Sequence, residues 1–267
     1  MPIQSILHQQ FRVIKTEAVR YQNNPYDPDR AHDLRVAIRT LRGLIKFIKR
    51  RLPTSVYTEI DQQLSAAAQI FGPVRELDVL IEEAAQFAYD HPDKHAAYQH
   101  FFNMLAAKRH DAMQATLTTA VQDQLTATIT NVQRQLKALD LDQQDDWTDY
   151  VETEMARRKK KLAKEYRHLD LSDYPAVHHL RKRSKTLRYA ATYFVNLAPK
   201  NAPKIRQKAE KIQNTTGTIT DAHINADYLK TFAEQAQDPR DTALLLKIAD
   251  DQLAKIKPAR QNKGDSK

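Results

Sequence analysis

The chain contains no cysteine. Disulfides, thiolate metal sites and cysteine nucleophiles are therefore excluded, and the absence suits a reducing compartment. Glycine is scarce, with only Gly43, Gly72, Gly217 and Gly264 in 267 residues. So few glycines leave no room for the glycine-rich loops that cradle nucleotide phosphates. No run of about 18 apolar residues occurs, the length a helix needs to cross a bilayer. Residues Met1 to Gln10 carry no long apolar core, so they do not read as a secretory signal. These absences together predict a cytoplasmic protein.

What is present is positive charge. Lys and Arg number 42 against 33 Asp and Glu, a formal net charge of +9. Such an excess favours acidic partners: nucleic acid, an anionic membrane surface, or phosphate polymers. The length fits one large domain or two small ones with ample core. Apolar residues recur at helical spacing almost throughout, and the alternation of a half-buried strand is missing. The pattern predicts an all-α fold with helices near 3–22, 28–51, 54–90, 93–121, 122–139, 147–168, 174–197, 201–236 and 239–257. Asn23-Asn24-Pro25, Asp27-Pro28, Pro53-Thr54-Ser55, His91-Pro92 and Asp238-Pro239 punctuate it. Gly72-Pro73 falls inside the third helix and should kink or break it. Asp140 to Asp146 reads as a surface connection. Residues 258–267 have no apolar face and read as a disordered tail.

The sequence repeats itself. His32-Asp33-Leu34-Arg35 with Arg39-Thr40-Leu41-Arg42 returns as His178-His179-Leu180-Arg181 with Lys185-Thr186-Leu187-Arg188, an offset of 146 from His32 to His178. Arg12 and Lys15 map onto Arg158 and Lys161 at the same offset, and Gly72 and Pro92 map onto Gly217 and Pro239 within one residue of it. Two similar halves, about 1–140 and 147–257, account for these anchors. Packed about a pseudo-two-fold axis, they would bring their equivalent helices face to face across a groove.

The repeated segment carries the chemistry. On a helix, His32, Arg35, Arg39, Arg42 and Lys46 fall within roughly 80° of one another, opposite Leu34, Leu41, Leu44, Ile45 and Ile48. His178, Arg181, Lys185 and Arg188 take the same angles in the second half, with Thr192 where Lys46 stood and Lys182 beside the stripe. A solvated face ordinarily mixes signs. Here Leu34 to Thr58 holds seven cations and no acid, and Tyr174 to Ala209 holds nine and no acid. Like charges one turn apart repel, so such a stripe costs stability until an anion neutralises it. Arginine forks match phosphate oxygens in pairs, and a row of them suits successive phosphates on an extended chain.

Four segments, in order, resemble the signatures of the CHAD domain, the conserved histidine alpha-helical domain. They are His32 to Arg42, Gly72-Pro73-Val74-Arg75-Glu76-Leu77-Asp78, His178 to Tyr189, and, less closely, Gly217-Thr218-Ile219-Thr220-Asp221-Ala222-His223. The resemblance spans nearly the whole chain and implies two antiparallel four-helix bundles around a basic cavity. It also implies binding of inorganic polyphosphate and, in some relatives, targeting to polyphosphate granules. Carried over by position, the ligand set is His32, Arg35, Arg39, Arg42, Arg75, His178, Arg181, Lys185 and Arg188, with Arg12, Lys15, Arg158 and Lys161 added from the first helix of each half. Thr220 stands where the first half has Arg75, which argues against a fully symmetric cavity. Many relatives carry an attached triphosphate-hydrolysing barrel; no such strands are predicted here, so the chain reads as a stand-alone binding module.

Asp33, Glu76, Asp78 and Asp221 read as partners for arginines or as helix caps rather than as a metal set. His91 and His95 are four apart, but Pro92 starts the helix between them and no third ligand is evident. Lys204, Lys208 and Lys211 form a one-sided row, with Lys208 and Lys211 placed at the cleft rim. Tyr189 and Tyr193 flank the second stripe, either walling the cleft or packing. The reading is a non-catalytic polyphosphate-binding module without cofactor or metal; the alternative is a nucleic-acid-binding protein.

Overall fold

Aspartate followed by proline sets the start of three helices. Asp27 and Asp238 accept hydrogen bonds from the backbone N–H two residues on, and Asp173 from Ala176 at 3.0 Å. Each is followed within two residues by a proline, whose fixed φ and missing N–H suit a first helical turn. Asp173 stands 146 residues after Asp27, so the internal repeat extends to the cap.

The computed structural model describes residues 3–93, 98–141 and 146–256. These form α1 (Ile3–Asn23), α2 (Pro28–Ile48), α3 (Thr54–Ile70), α4 (Gly72–Asp90), α5 (Tyr98–Leu117), α6 (Thr119–Ala138), α7 (Trp147–Arg167), α8 (Tyr174–Tyr193), α9 (Ala202–Gln235) and α10 (Pro239–Ala254), with no strand among the described residues. The all-α class is as expected. Some boundaries differ. The expected helices 28–51 and 174–197 end instead in short 3-10 turns, Lys49–Arg51 and Val195–Leu197. The boundary expected near 121 falls at Thr118. The kink or break expected at Gly72-Pro73 is a break at Phe71, which ends α3 and precedes α4, with Pro73 in the new first turn. The counterpart of α3 and α4 in the second half, α9, runs unbroken through Gly217, which no proline follows. Most of the connection at 140–146, His95 and the tail 258–267 lie outside the described residues.

The stripe helices bury what the pattern assigned to the core. Leu34, Leu41, Leu44, Ile45 and Ile48 are wholly enclosed, each contributing about 1.5–3 kcal/mol by transfer from water. They belong to a core built by α1, α2, α3, α6, α7, α8 and the first part of α9. A second core joins α4 and α5 to the end of α9 and α10. Equivalent elements of the two halves thus share each core: α2 with α8 in one, α5 with α10 in the other. The described residues of the two halves contribute to common cores rather than forming a core apiece. A buried ion pair between Asp78 of α4 and Arg109 of α5 at 2.9 Å adds a tie, and Arg109 also donates to the Pro25 carbonyl at 3.1 Å. No described helix is long and apolar enough to cross a membrane.

Candidate anion-binding cleft

The two basic helices α2 and α8 pack directly against each other. Their contact is set by Gly43 and Tyr189. A Cβ on Gly43 would stand 2.9 Å from Tyr189 Cδ2, so only glycine lets the ring lie against α2. Above this contact opens a cavity of about 260 Å³ lined by Arg39, Arg42 and Lys46 of α2 and by Lys182, Lys185 and Tyr189 of α8. Among the described residues no carboxylate lines it. Tyr189 is therefore both packing residue and cleft wall, with the Arg188 guanidinium 5.0 Å over its ring.

The residues of the two stripes influence one another across the cleft. Lys185 is pulled down from 10.5 to about 7, first by burial and then by Arg39 and Arg181. Burial followed by Lys182, Arg181, Lys185 and Arg39 lowers His178. Burial, then Arg75, lowers His32. Arg35 is lowered by burial and then by Arg39. Burial also lowers Lys46. Arg39 acts on groups of both helices and is the common centre of this field. Each shift has the same meaning: the cleft disfavours its own positive charge.

Three carboxylates from outside the stripes offset part of that cost. Asp61 of α3 accepts from Arg42 Nε at 2.7 Å and Nη2 at 3.0 Å. Asp221 of α9 accepts from Arg181 at 2.7 and 2.9 Å. Glu210 of α9 stands 3.9 Å from Arg188. Among the described residues no carboxylate pairs with Arg39, Lys46, Lys182 or Lys185. On α8, His178 Nδ1, Arg181 Nε and Arg188 Nε are buried without a hydrogen-bond partner among the described residues.

The repeated glycines serve the repeated arginines. A Cβ on Gly72 would meet Arg35 Nη1 at 3.1 Å, and one on Gly217 would meet Arg181 Nε at 3.7 Å. Arg35 donates to the Ala68 carbonyl at 3.1 Å, and Glu76 bonds to Tyr228, pushed up to about 12 by burial and by that bond. The acids weighed in the sequence mostly hold arginines: Asp33 with Arg30, Asp78 with Arg109, Asp221 with Arg181. Among the described residues no group of three or more His, Asp or Glu is placed to hold a metal.

Several expected ligands lie elsewhere. Arg12 and Lys15 line a separate cavity of about 280 Å³ with Phe11 and Leu136, because α1 packs on α2 and α6 and turns this face away from α8. Arg158 is occupied: it donates to Glu154 at 2.6 Å and to the Lys46 and Phe47 carbonyls at 3.1 Å. It caps the C-terminal end of α2, where a cation also suits the helix dipole. Lys161, Lys208 and Lys211 are exposed on α7 and α9. Thr220, at the position of Arg75, is buried and turns its hydroxyl to the Thr216 carbonyl, so the cleft is asymmetric there. Sequence reasoning missed Asp61, Glu210, Gly43 as a contact, and Tyr228. Each is distant in sequence from the residue it serves, and no spacing signal could have found it.

A family model described as the CHAD domain matches residues 5–257. A search of curated proteins gives no match. Among solved structures, the crystal structure of the CHAD domain from the plant Ricinus communis is similar, with a TM-score of 0.71 and 21% identity over 96% of this chain and 86% of that one. PptA from Streptomyces chartreusis is also similar, with a TM-score of 0.68 and 14% identity over 97% of each chain. At these identities the likeness is one of fold, whereas the family model follows the sequence itself from the first helix to the last described residue, and on that ground this chain belongs to the CHAD domain family.

Proposed function

We propose that the cleft between α2 and α8 binds inorganic polyphosphate. The observation that carries this reading is the convergence of Arg39, Lys46, Lys182 and Lys185, from two helices, on one cavity without a lining carboxylate. Four cations held together disfavour one another; burial first, and then Arg39 and Arg181, pull Lys185 down to about 7. A polyanion removes it, and an extended chain of phosphates meets cations spaced along two helices better than a single phosphate does. Orphaned donors on α8 add hydrogen-bonding capacity on the same helix.

The reading is of a binder rather than an enzyme. The nearest carboxylates, Asp61 and Asp221, are each bonded twice to an arginine, which suits positioning rather than metal binding. Release of orthophosphate from the polymer on adding magnesium would overturn it. Residence in the cytoplasm at polyphosphate granules follows as part of the same proposal.

The test is a titration with long-chain polyphosphate across several salt concentrations, with duplex DNA and RNA alongside. Tight polyphosphate binding that weakens steeply with salt, with weaker nucleic-acid binding, is expected, because each neutralised phosphate releases a counterion. Equal or tighter nucleic-acid binding would make the protein a nucleic-acid binder instead.

A further inference from the structure

The stripe of α8 continues past the residues that line the cleft. Thr192 shares the stripe angle of Lys185 and lies about 10 Å further along the helix axis. Its half-buried hydroxyl donates to the Arg188 carbonyl at 2.9 Å. Beyond it a second cavity, about 590 Å³, opens between α8 and α9, lined by Thr192, Lys204, Arg206, Gln207 and Glu210. Arg188 touches a residue of each cavity: its guanidinium stands 5.0 Å over the Tyr189 ring and 3.9 Å from Glu210. Glu210 is the first acid after Asp173 in the sequence, and it sits where the acid-free stretch meets the second cavity. Lys204 and Arg206 are exposed and form no ion pair among the described residues.

We propose that the polyanion track continues past the cleft: a polyphosphate chain filling it displaces Glu210 from Arg188 and runs into the α8–α9 cavity, where Lys204 and Arg206 take the following phosphates. This rests on the polyphosphate reading above. It makes the second cavity a length-sensing section that short chains do not reach, and Glu210 a carboxylate that occupies Arg188 until phosphate replaces it. The position where α2 carries Lys46 and α8 carries only Thr192 is then supplied with cations from α9.

The experiment compares tripolyphosphate with long-chain polyphosphate on the full chain. The wild type is expected to bind the long chain more tightly per molecule. Lys204→Glu with Arg206→Glu should remove that advantage and lower the salt slope for the long chain by about two, one for each lost phosphate contact, while tripolyphosphate affinity is kept. Glu210→Gln should tighten long-chain binding. Lys230→Glu with Lys247→Glu changes the net charge equally and should keep the length dependence; Lys230 lies about 36 Å from Arg206 along α9. Melting curves establish that each variant is folded. Length dependence that survives the Lys204/Arg206 change, or is lost equally in the control pair, overturns the extended track and leaves the cleft intact. Equal binding of both probes by the wild type overturns it too. No binding of either probe overturns the polyphosphate reading itself.

Discussion

Arg35 lies over Gly72, its Nη1 3.1 Å from where a Cβ on that glycine would stand. Neither glycine of the repeat has a positive φ, so backbone conformation requires neither. The two sites nevertheless differ. Gly217 lies inside α9, and the neighbouring Arg181 is at an ordinary 3.7 Å. Gly217→Ala is therefore expected to stabilise the protein by about 1 kcal/mol through helix propensity. Gly72→Ala gains less at a helix start and pushes Arg35 off the Ala68 carbonyl, costing about 1 kcal/mol. Thermal melts of the two variants should move in opposite directions; a fall for both would show that Arg181 needs the glycine as well.

Gly43 is tighter still. Tyr189 Cδ2 at 2.9 Å belongs to a ring packed between helices, so it cannot swing away as a flexible chain end could. Gly43→Ala should destabilise by about 1–3 kcal/mol through overpacking and distort the cleft floor. In a Tyr189→Ala background the same change should cost little. Denaturant unfolding of the double-mutant cycle measures the coupling, and additive losses would mean the ring is not the obstacle.

Lys185 sets function against stability. It is partly buried beside Arg39, Arg181 and Arg188, with Asp221 the opposing charge. Lys185→Met keeps an unbranched side chain one atom shorter and removes the repulsion. The variant is expected to melt higher at pH 7 and to bind polyphosphate less tightly. A lower melting temperature would show that the ammonium has a stabilising partner in the free protein.

The same residue gives binding a pH dependence. In the free protein Lys185 titrates at about 7, and a phosphate beside it raises that value. The Lys185 contribution to affinity is therefore fully present below 7 and falls as pH rises above it, with proton uptake on binding in that window. His32 and His178, both lowered by burial first, take up further protons as pH falls below the ordinary histidine range. Calorimetric titrations in buffers of different ionisation enthalpy read the uptake directly. In Lys185→Met the decline above 7 should vanish.

Much of this was legible without coordinates. Leu34, Leu41, Leu44, Ile45 and Ile48 predicted one buried face of α2, and His32, Arg35, Arg39, Arg42 and Lys46 the opposite one, because a helix converts spacing into angle. The repeat predicted that α8 would do likewise. Proline after aspartate marked the helix starts, since both act through local backbone chemistry. The residues that drew family resemblance were the same ones, and the family model runs across them all.

What spacing could not carry was which faces meet. Arg12 and Lys15 share a repeat with Arg158 and Lys161, yet α1 turns its cations to α6 while Arg158 caps α2. The acid-free stripes looked unneutralised because Asp61, Asp221 and Glu210 approach from other helices, 19 to 40 residues away in sequence or nearly so. Local sequence determined the helices, their buried stripes and the two rows of cations, because those depend on contacts three or four residues apart. Tertiary packing alone decided that Gly43 would seat Tyr189, that Arg39 would face Lys185, and that four cations would gather around one cavity, because those depend on how whole helices dock.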